Sequence, residues 1–488
     1  FFNCAIMASV TLAAVKIANV MLGWSRLQTV IICGLICIVF SAMAGLWGVL
    51  ASDLIQFAIA LVGVVAAAYV ALSQPEVGGL SGLVAKVDPS TLRLLPDFSN
   101  WGLTLSVLII PLTIQWWSVW YPGAEPGGGS YIAQRMLAAK DEKNAMAATL
   151  WFNIAHYALR PWPWIIVALA SIVIYPDLES IGREFPAITS EYLRDDVAYP
   201  VMLSKLGPGW LGLVVASLIA AYMSTIGTHL NWGSSYLVND FYKRFVRPEA
   251  SEKDMVLMGR LSTVILMVLA GALSLLFLED ATQAFNILLL SGAGSGAIYL
   301  LRWFWWRINA WTEVVAMVVA TVNAFILVLW VNDLWLANTF AGVFPLPAGL
   351  QELGMKALSG TVFPIKLIIA LVVTTIAWLA ATLLTKPETP ETLRSFYRLT
   401  RPGGPGWQKV VDEARADGDL IDEKDHGRPW EMPIQILLVF VGCVVVYSSL
   451  FSIGSFVYQR PAAGTAMAVL ALVGTYILFK SFGKLRAD

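Results

Sequence analysis

The sequence contains few charged residues for its length. Only 13% of its 488 residues are charged and 58% are hydrophobic, whereas about 25% of the residues of a typical soluble domain are charged. A soluble protein of this composition could not cover its surface with polar groups, and the mean hydropathy of +0.70 indicates that lipid is its solvent. The net charge of -1, with no basic stripe, gives no indication of nucleic-acid binding.

Cysteines and catalytic motifs are also scarce. The four cysteines, Cys4, Cys33, Cys37 and Cys443, lie inside apolar runs and imply neither a disulfide framework nor a metal site. No Ser-His-Asp, HExxH or P-loop pattern occurs, so the sequence predicts a protein that is not an enzyme. The chain begins inside an apolar run with no basic flank, which excludes a signal peptide and predicts that the sequence is truncated at its N-terminus.

Long apolar runs, in contrast, are abundant. A helix that spans a membrane needs about 20 predominantly apolar residues, and this window predicts an all-α polytopic membrane protein with about twelve transmembrane helices. The predicted spans are 1–22, 28–46, 52–73, 102–121, 146–175, 208–238, 259–279, 283–301, 311–332, 363–385, 432–453 and 463–481.

The basic residues are distributed unevenly among the loops between these spans. If the first span runs outward, most of them fall on the cytoplasmic side, including Lys140, Lys143, Lys243, Arg244, Lys480 and Arg486. The positive-inside rule then predicts a multi-pass protein of the cell (inner) membrane with a cytoplasmic C-terminus. It places loop 74–101 outside, and it places segment 386–431, which reads as a solvated linker, in the cytoplasm.

Asp53 is a carboxylate within or at the edge of a predicted span. Ionisable groups inside a bilayer are costly and are functional candidates by default. Asp53 could line an ion or proton path, or it could cap the helix that follows at the cytoplasmic mouth. Its position in the sequence leaves both interpretations open.

Three hydroxyl residues, Ser224, Thr225 and Thr228, fall on nearly one face of the predicted span 208–238. A hard cation such as Na⁺ takes oxygen ligands, and the Ala221 carbonyl one turn earlier adds another oxygen to this face. The alternative is close helix packing, because small residues and hydroxyls are also typical of helix–helix contacts in membranes.

Two prolines and four glycines interrupt the segment 115–140. Non-helical backbone at membrane depth is tolerated where it lines a cavity, and transporters use broken helices to bind solutes near the midplane. We therefore predict a broken helix over 115–131, with Trp117 and Trp120 as candidate solute contacts. Asn286, a polar residue inside another span, is a further candidate. The alternative is a kink within an interfacial aromatic belt.

Several segments, taken in order, resemble the sodium/solute symporter family of the sodium–glucose cotransporter type. These segments are SDLIQ (52–56), YIAQRMLAAK (131–140), AAYMSTIGTHLNWGSSYLVNDFY (220–242), FWWRIN (304–309) and LLTKP (383–387). The resemblance implies symport of a small polar solute (a sugar, polyol or organic acid), with Na⁺ as the coupling ion and no cofactor. Proton-coupled transport and a membrane sensor derived from a transporter remain as alternatives.

The same resemblance implies a leucine-transporter-like fold of two inverted five-helix repeats. Residues 1–73 would be the last three helices of repeat one. Residues 102–301 would be repeat two with its broken helix, and 302–488 would be peripheral helices.

The resemblance also implies roles for individual residues. The Ala221 carbonyl and the Ser224 and Thr225 hydroxyls resemble the main sodium site of the family. Asp53, with Ser224 and Thr228, resembles a second sodium site or a proton path.

Tyr131 resembles the tyrosine that gates the solute site from the cytoplasm. Two positions depart from the family pattern: Gly227 stands where some members have a hydroxyl residue, and Gly129 stands where sugar transporters have asparagine. The segment PGAEPGGG looks like an insertion. The resemblance therefore does not identify the solute as a sugar.

Overall fold

A computed structural model describes residues 2–99, 104–119, 136–186, 188, 193–278, 281–340, 355–422 and 432–482. Throughout these ranges the regular structure is helical, and one isolated β-bridge joins Val119 to Ala293.

The helices fall into three stretches of the chain. The first holds α1 (Phe2–Leu22), α2 (Arg26–Leu72), α3 (Gly79–Lys86), α4 (Trp116–Ser118), α5 (Glu142–Asn153), α6 (Pro161–Ile174) and α7 (Leu178–Glu184). The second holds α8 (Ala198–Leu203), α9 (Pro208–Ser235), α10 (Glu252–Leu276), α11 (Ala281–Gly292), α12 (Gly296–Leu301) and α13 (Ala310–Leu329). The third holds α14 (Asp333–Phe340), α15 (Met355–Leu384), α16 (Pro390–Thr400), α17 (Gln408–Ala416), α18 (Met432–Val457) and α19 (Pro461–Phe482).

Several of these helices contain or adjoin π-helical turns. The π-helical stretches are Leu105–Ile109 and Pro111–Gln115 before α4, Ile154–Leu159 between α5 and α6, and Tyr236–Val246 after α9. A 3₁₀ turn, Asp195–Val197, precedes α8.

The helices confirm a multi-pass membrane protein but not the predicted number of spans. In the part of the chain that the structure describes, nine helical stretches are long and apolar enough to cross a membrane, and Arg26–Ser41 and Val107–Ser118 are shorter. The prediction of about twelve spans is therefore not confirmed.

The predicted spans 28–46 and 52–73 are not two separate helices. They lie in the single helix α2, which has 47 residues. The sequence between them contains no proline, so the backbone there keeps every N–H donor and nothing forces the helix to end.

The chain forms two compact units, and neither follows the predicted repeat boundaries. The first unit comprises residues 1–94, 139–284 and 439–488. In one of its apolar cores α1, α2, α9 and α10 meet around Met7, Cys37, Ile226 and Met267. The repeat assignment remains a prediction.

The second unit comprises residues 95–138 and 285–438. In one of its cores Leu327 of α13 packs with Leu367 and Ala370 of α15. The predicted span 283–301 is interrupted in this unit, because α11 ends at Gly292 and α12 begins at Gly296.

Within the second unit, the described part of segment 386–431, residues 386–422, is not the solvated linker that its charge suggests. Helices α16 and α17 form a hairpin whose core includes Leu393, Tyr397 and Trp407. The Trp407 indole donates a hydrogen bond to the Trp303 carbonyl at 3.1 Å. The linker prediction is wrong because apolar residues at helical spacing bury one face of each short helix.

Candidate sodium site

Helix α9 carries the predicted hydroxyl residues and packs closely against α2. It starts with Pro208 at its first turn and continues for 28 residues. A Cβ atom on Gly63 of α2 would lie 2.6 Å from Ser217 Oγ of α9. Only glycine therefore permits this approach of the two helices.

Asp53 lies against the sodium-site residues predicted on α9. The Ser224 hydroxyl donates a hydrogen bond of 2.5 Å to Asp53 Oδ1, and both side chains are half-buried. Such charge-assisted hydrogen bonds are short and are roughly twice as strong as those between neutral groups. Asp53 lies inside the continuous helix α2, so it does not cap the start of a helix.

The second predicted group lies on the neighbouring face of α9. The Thr225 hydroxyl donates to the Ala221 carbonyl oxygen at 3.1 Å. Both oxygens keep lone pairs that a cation could use. Successive residues of a helix point in directions about 100° apart, so Ser224 faces Asp53 while Thr225 faces elsewhere.

Thr228 and Gly227 lie one turn further along α9. Thr228 is half-buried, four residues after Ser224. Gly227 is buried against α2, where an added Cβ would lie 3.5 Å from Ser41 Oγ, an ordinary contact distance. The site therefore has space for a small side chain at position 227 but holds no hydroxyl there.

A cavity of about 380 Å³ lies beside Ala221 and Thr225 in the first unit. Its other walls are almost entirely apolar and include Ala14 of α1, Cys33 of α2 and Trp164 of α6. Low-dielectric walls strengthen the interaction of a cation with the few oxygens that face it. The described residues thus place two hydroxyls and a carbonyl along one stretch of α9, with the Asp53 carboxylate of α2 against one of the hydroxyls.

In the second unit, the structure describes the predicted broken helix only as far as Val119. Helix α4 stops at Ser118, and Val119 is extended. The Gly294 N–H donates to the Ser118 carbonyl at 2.7 Å. A helix therefore ends within the predicted interruption, while Trp120 and Tyr131 lie outside the described residues.

The interruption between α11 and α12 was not predicted. Gly294 has φ of +86°, and its Cβ would lie 2.7 Å from Thr374 Cβ, so a side chain is excluded there on both grounds. The sequence SGAGSG (291–296), with three glycines in six residues, carried the signal for this break.

The two described solute candidates are both in the second unit. Trp117 packs in an apolar cluster with Ala297 and Ile298, and its indole donates to the Thr113 carbonyl at 2.6 Å. Asn286 is half-buried on α11. Trp117 therefore has packing contacts within this unit in addition to any contact with a solute.

A buried charge that the sequence analysis did not single out lies in the first unit. Lys16 of α1 is 4% exposed and forms an ion pair with Asp196 in the 3₁₀ turn before α8. The sequence indicates this buried charge by a lysine inside an apolar span.

The sequence profile of the sodium:solute symporter family matches residues 1–320. The chain belongs to the sodium:solute symporter family. This is a family of transporters, which agrees with the prediction that the protein is not an enzyme.

Curated members of the family are similar to the chain over part of its length. An osmoregulated proline transporter of Bacillus subtilis is 26% identical over 60% of this chain and 55% of its own length. A sodium/glucose cotransporter of Vibrio parahaemolyticus is 26% identical over 63% of this chain and 58% of its own length. The chain thus spans about half the length of these relatives.

The fold is similar to that of a solved family structure. A Na⁺-coupled sialic acid symporter, in a substrate-bound outward-open state, superposes with a TM-score of 0.51 at 18% identity. The similarity covers 79% of this chain and 73% of that chain, and it shows a shared fold.

Proposed function

We propose that this protein is a sodium-coupled symporter that moves Na⁺ inward together with a small polar solute by alternating access. The observation that carries the proposal is the contact between Ser224 of α9 and Asp53 of α2, beside the Thr225–Ala221 pair. A carboxylate and neutral oxygen donors within apolar helices form a suitable environment for a cation that must be released again.

The two groups of oxygens have different roles in this proposal. Ala221, Ser224 and Thr225 form the main sodium site, in which every oxygen ligand is uncharged. Asp53 and Thr228 form a second sodium site or a path along which the ion leaves. Neutral donors keep the affinity moderate, because transport requires binding that is favourable but not too tight.

The sodium gradient supplies enough free energy for uphill transport. One charge that crosses 100 mV releases about 2.3 kcal/mol, and a tenfold concentration gradient adds about 1.4 kcal/mol. The sum of about 3.7 kcal/mol supports a several-hundredfold accumulation of solute.

The names of the relatives indicate the class of solute. They include transporters of proline, glucose, myo-inositol and mannose, and the structural neighbour is a sialic acid symporter. All are small polar molecules, so we propose a sugar, polyol, or amino or organic acid as the solute. Trp117, Trp120, Tyr131 and Asn286 are its proposed contacts.

The proposal extends to the arrangement in the membrane. The helices adopt the leucine-transporter-like arrangement of inverted repeats, in the cell (inner) membrane, with the C-terminus in the cytoplasm. The similarity to the symporter structure supports the fold, and the concentration of basic residues in alternate loops supports the orientation.

Uptake by reconstituted protein tests this function. Purified protein in liposomes would be supplied with radiolabelled glucose, mannose, myo-inositol, proline and sialic acid under an inward Na⁺ gradient. We expect accumulation of at least one solute that is abolished when K⁺ replaces Na⁺. Accumulation driven by a proton gradient in sodium-free buffer would instead establish proton coupling. Failure of Na⁺ to change either uptake or solute binding would refute the proposal.

A further inference from the structure

A side-chain amide of α1 is joined to the sodium-site helix α9 by two contacts. Asn3 Nδ2 donates to the His229 carbonyl oxygen at 2.7 Å, and Asn3 Oδ1 lies 2.5 Å from His229 Nδ1. A carbonyl can only accept, so the first contact fixes the orientation of the amide. The amide oxygen must therefore be the acceptor in the second contact, and His229 Nδ1 carries the proton.

A second buried contact joins the same two helices further along. Thr11 Oγ1 and the Tyr222 hydroxyl are 3.2 Å apart, and the two residues are 0% and 7% exposed. Thr11 already donates its only proton to the Met7 carbonyl at 2.7 Å. Tyr222 is therefore the donor across the helix contact.

The two contacts lie on either side of the hydroxyl residues of the proposed sodium site. Tyr222 and His229 are seven residues apart, which corresponds to about 10.5 Å along a helix, and Ser224, Thr225 and Thr228 lie between them. Their partners on α1 are eight residues apart, about 12 Å. The spacings match, so the two antiparallel helices are held in one register.

The surrounding packing is adapted to this register. A Cβ on Gly233 of α9 would lie 2.4 Å from Asn3 Nδ2 and 2.8 Å from Leu266 Cδ1. Only glycine therefore lets Asn3 reach the His229 carbonyl. Between the two contacts, Met7 of α1 and Ile226 of α9 are fully buried in one apolar cluster.

We propose that His229 and Tyr222 are positioning residues for sodium binding. With Asn3 and Thr11 they fix the rotation and register of α9 against α1. This keeps Ser224 directed at Asp53 of α2, because α1, α2 and α9 pack together in one apolar cluster. The inference rests on the proposed function, because it assigns these residues a role in the affinity of that sodium site.

The test measures sodium binding and thermal stability in parallel on the purified, reconstituted protein. Tyr222→Phe combined with His229→Leu removes the two cross-helix donors that α9 contributes and should raise the half-saturating Na⁺ concentration at least fivefold. His229→Asn, whose amide nitrogen can take the place of Nδ1, should stay within twofold of the wild type. Ser9→Ala is the matched control, because the Ser9 hydroxyl donates only within α1, to the Ile6 carbonyl at 2.8 Å.

Gly233→Ala provides a test that leaves both donors in place. Its methyl group displaces Asn3 from His229, so it should also raise the half-saturating Na⁺ concentration while the folded protein is retained. Variants that melt at a lower temperature but bind Na⁺ with unchanged half-saturation overturn the inference and leave the proposed function standing. Wild-type protein that binds no Na⁺ overturns both.

Discussion

The charge pair between Lys16 and Asp196 in the first unit is strongly asymmetric in exposure. The Lys16 side chain is 5% exposed, whereas that of Asp196 is 38% exposed. A buried ammonium without its counter-ion loses its hydration without compensation, but an exposed carboxylate without its partner is still solvated. Substitution of Asp196 should therefore change the stability of the protein very differently from substitution of Lys16.

We expect Asp196→Ala to destabilise the protein by about 3 kcal/mol, because it leaves the Lys16 ammonium buried and unpaired. Lys16→Met should be close to neutral, since it replaces the buried charge with an apolar chain of similar length. In the Lys16→Met background, Asp196→Ala should cost little. Melting temperatures of the four proteins in one detergent measure this cycle, and additive effects of the two substitutions would contradict it.

A second pair, outside the spans, should make stability depend on pH. Lys205 Nζ donates to Glu184 Oε1 at 2.6 Å, and this hydrogen bond lowers the pKa of Glu184 below its ordinary value of 4.5. A carboxyl whose pKa is lowered by folding stabilises the protein above the unfolded-state pKa. That stabilisation is lost as the pH falls through the folded-state pKa.

Glu184→Gln should therefore lower stability at pH 7 by about 0.5 kcal/mol, a typical value for a partly exposed ion pair. The difference from the wild type should shrink below about pH 4.5 and disappear once Glu184 is protonated in the folded state. Thermal melts across this range measure it. Glu179→Gln, an exposed carboxylate on the same helix, is the control, and a difference for Glu184→Gln that does not change with pH would exclude the mechanism.

At the scale of elements, the hairpin of α16 and α17 shows where sequence reasoning failed. The mixed charge of 386–431 suggested a solvated segment, yet Thr389 caps α16 and Pro390 begins it. A threonine followed by a proline is a typical signal for the start of a helix. The surrounding prolines and glycines suggested an irregular segment instead. The hairpin packs against the loop after α12, which lies about a hundred residues earlier in the chain. Such a distant contact could not be predicted from the sequence.

We expect Gly406→Ala to detach the hairpin of α16 and α17 from the loop after α12. A Cβ at position 406 would lie 1.5 Å from the Phe304 carbonyl oxygen, and a backbone atom cannot move away as a flexible side chain can. Overpacking of this kind typically costs about 1–3 kcal/mol. Limited trypsin digestion should then cleave at Arg394 or Lys409 faster than in the wild type.

The control for this experiment is Gly212→Ala, which adds the same methyl group to a helix where nothing lies within 4 Å. It should leave trypsin cleavage of the hairpin unchanged. Equal cleavage rates for the Gly406 and Gly212 variants would show that the hairpin is not held by this contact.

At the scale of the whole molecule, composition alone predicted the membrane environment, because each span carries its own apolar signal. The contacts of the site carry no such signal. Ser224 and Asp53 are 171 residues apart in the chain, and His229 and Asn3 are 226 apart. Each pair depends on the register between two helices. The family motifs indicated Asp53 and Ser224, while nothing in the sequence indicated the partner of His229.

The proposed coupling of the whole molecule to sodium uses the hydroxyls of α9, so their removal should change the sodium dependence of uptake. Ser224→Ala with Thr225→Val removes two oxygens and nearly preserves side-chain volume. The hydroxyl at 224 no longer meets Asp53, and the one at 225 no longer accompanies the Ala221 carbonyl. We expect the half-maximal Na⁺ concentration to rise at least about tenfold, which corresponds to about 1.4 kcal/mol of lost ion binding.

Solute binding at saturating Na⁺ should suffer less than uptake at low Na⁺, because the variant weakens the ion site and leaves the proposed solute contacts intact. Ser234→Ala is the matched control on the same helix: its hydroxyl is buried but donates only to the Asn231 carbonyl at 3.1 Å. Uptake measured over a range of Na⁺ concentrations separates the two variants. If the double variant keeps the sodium dependence of the Ser234→Ala protein, the hydroxyls at 224 and 225 only pack α9, and the ion is coordinated elsewhere.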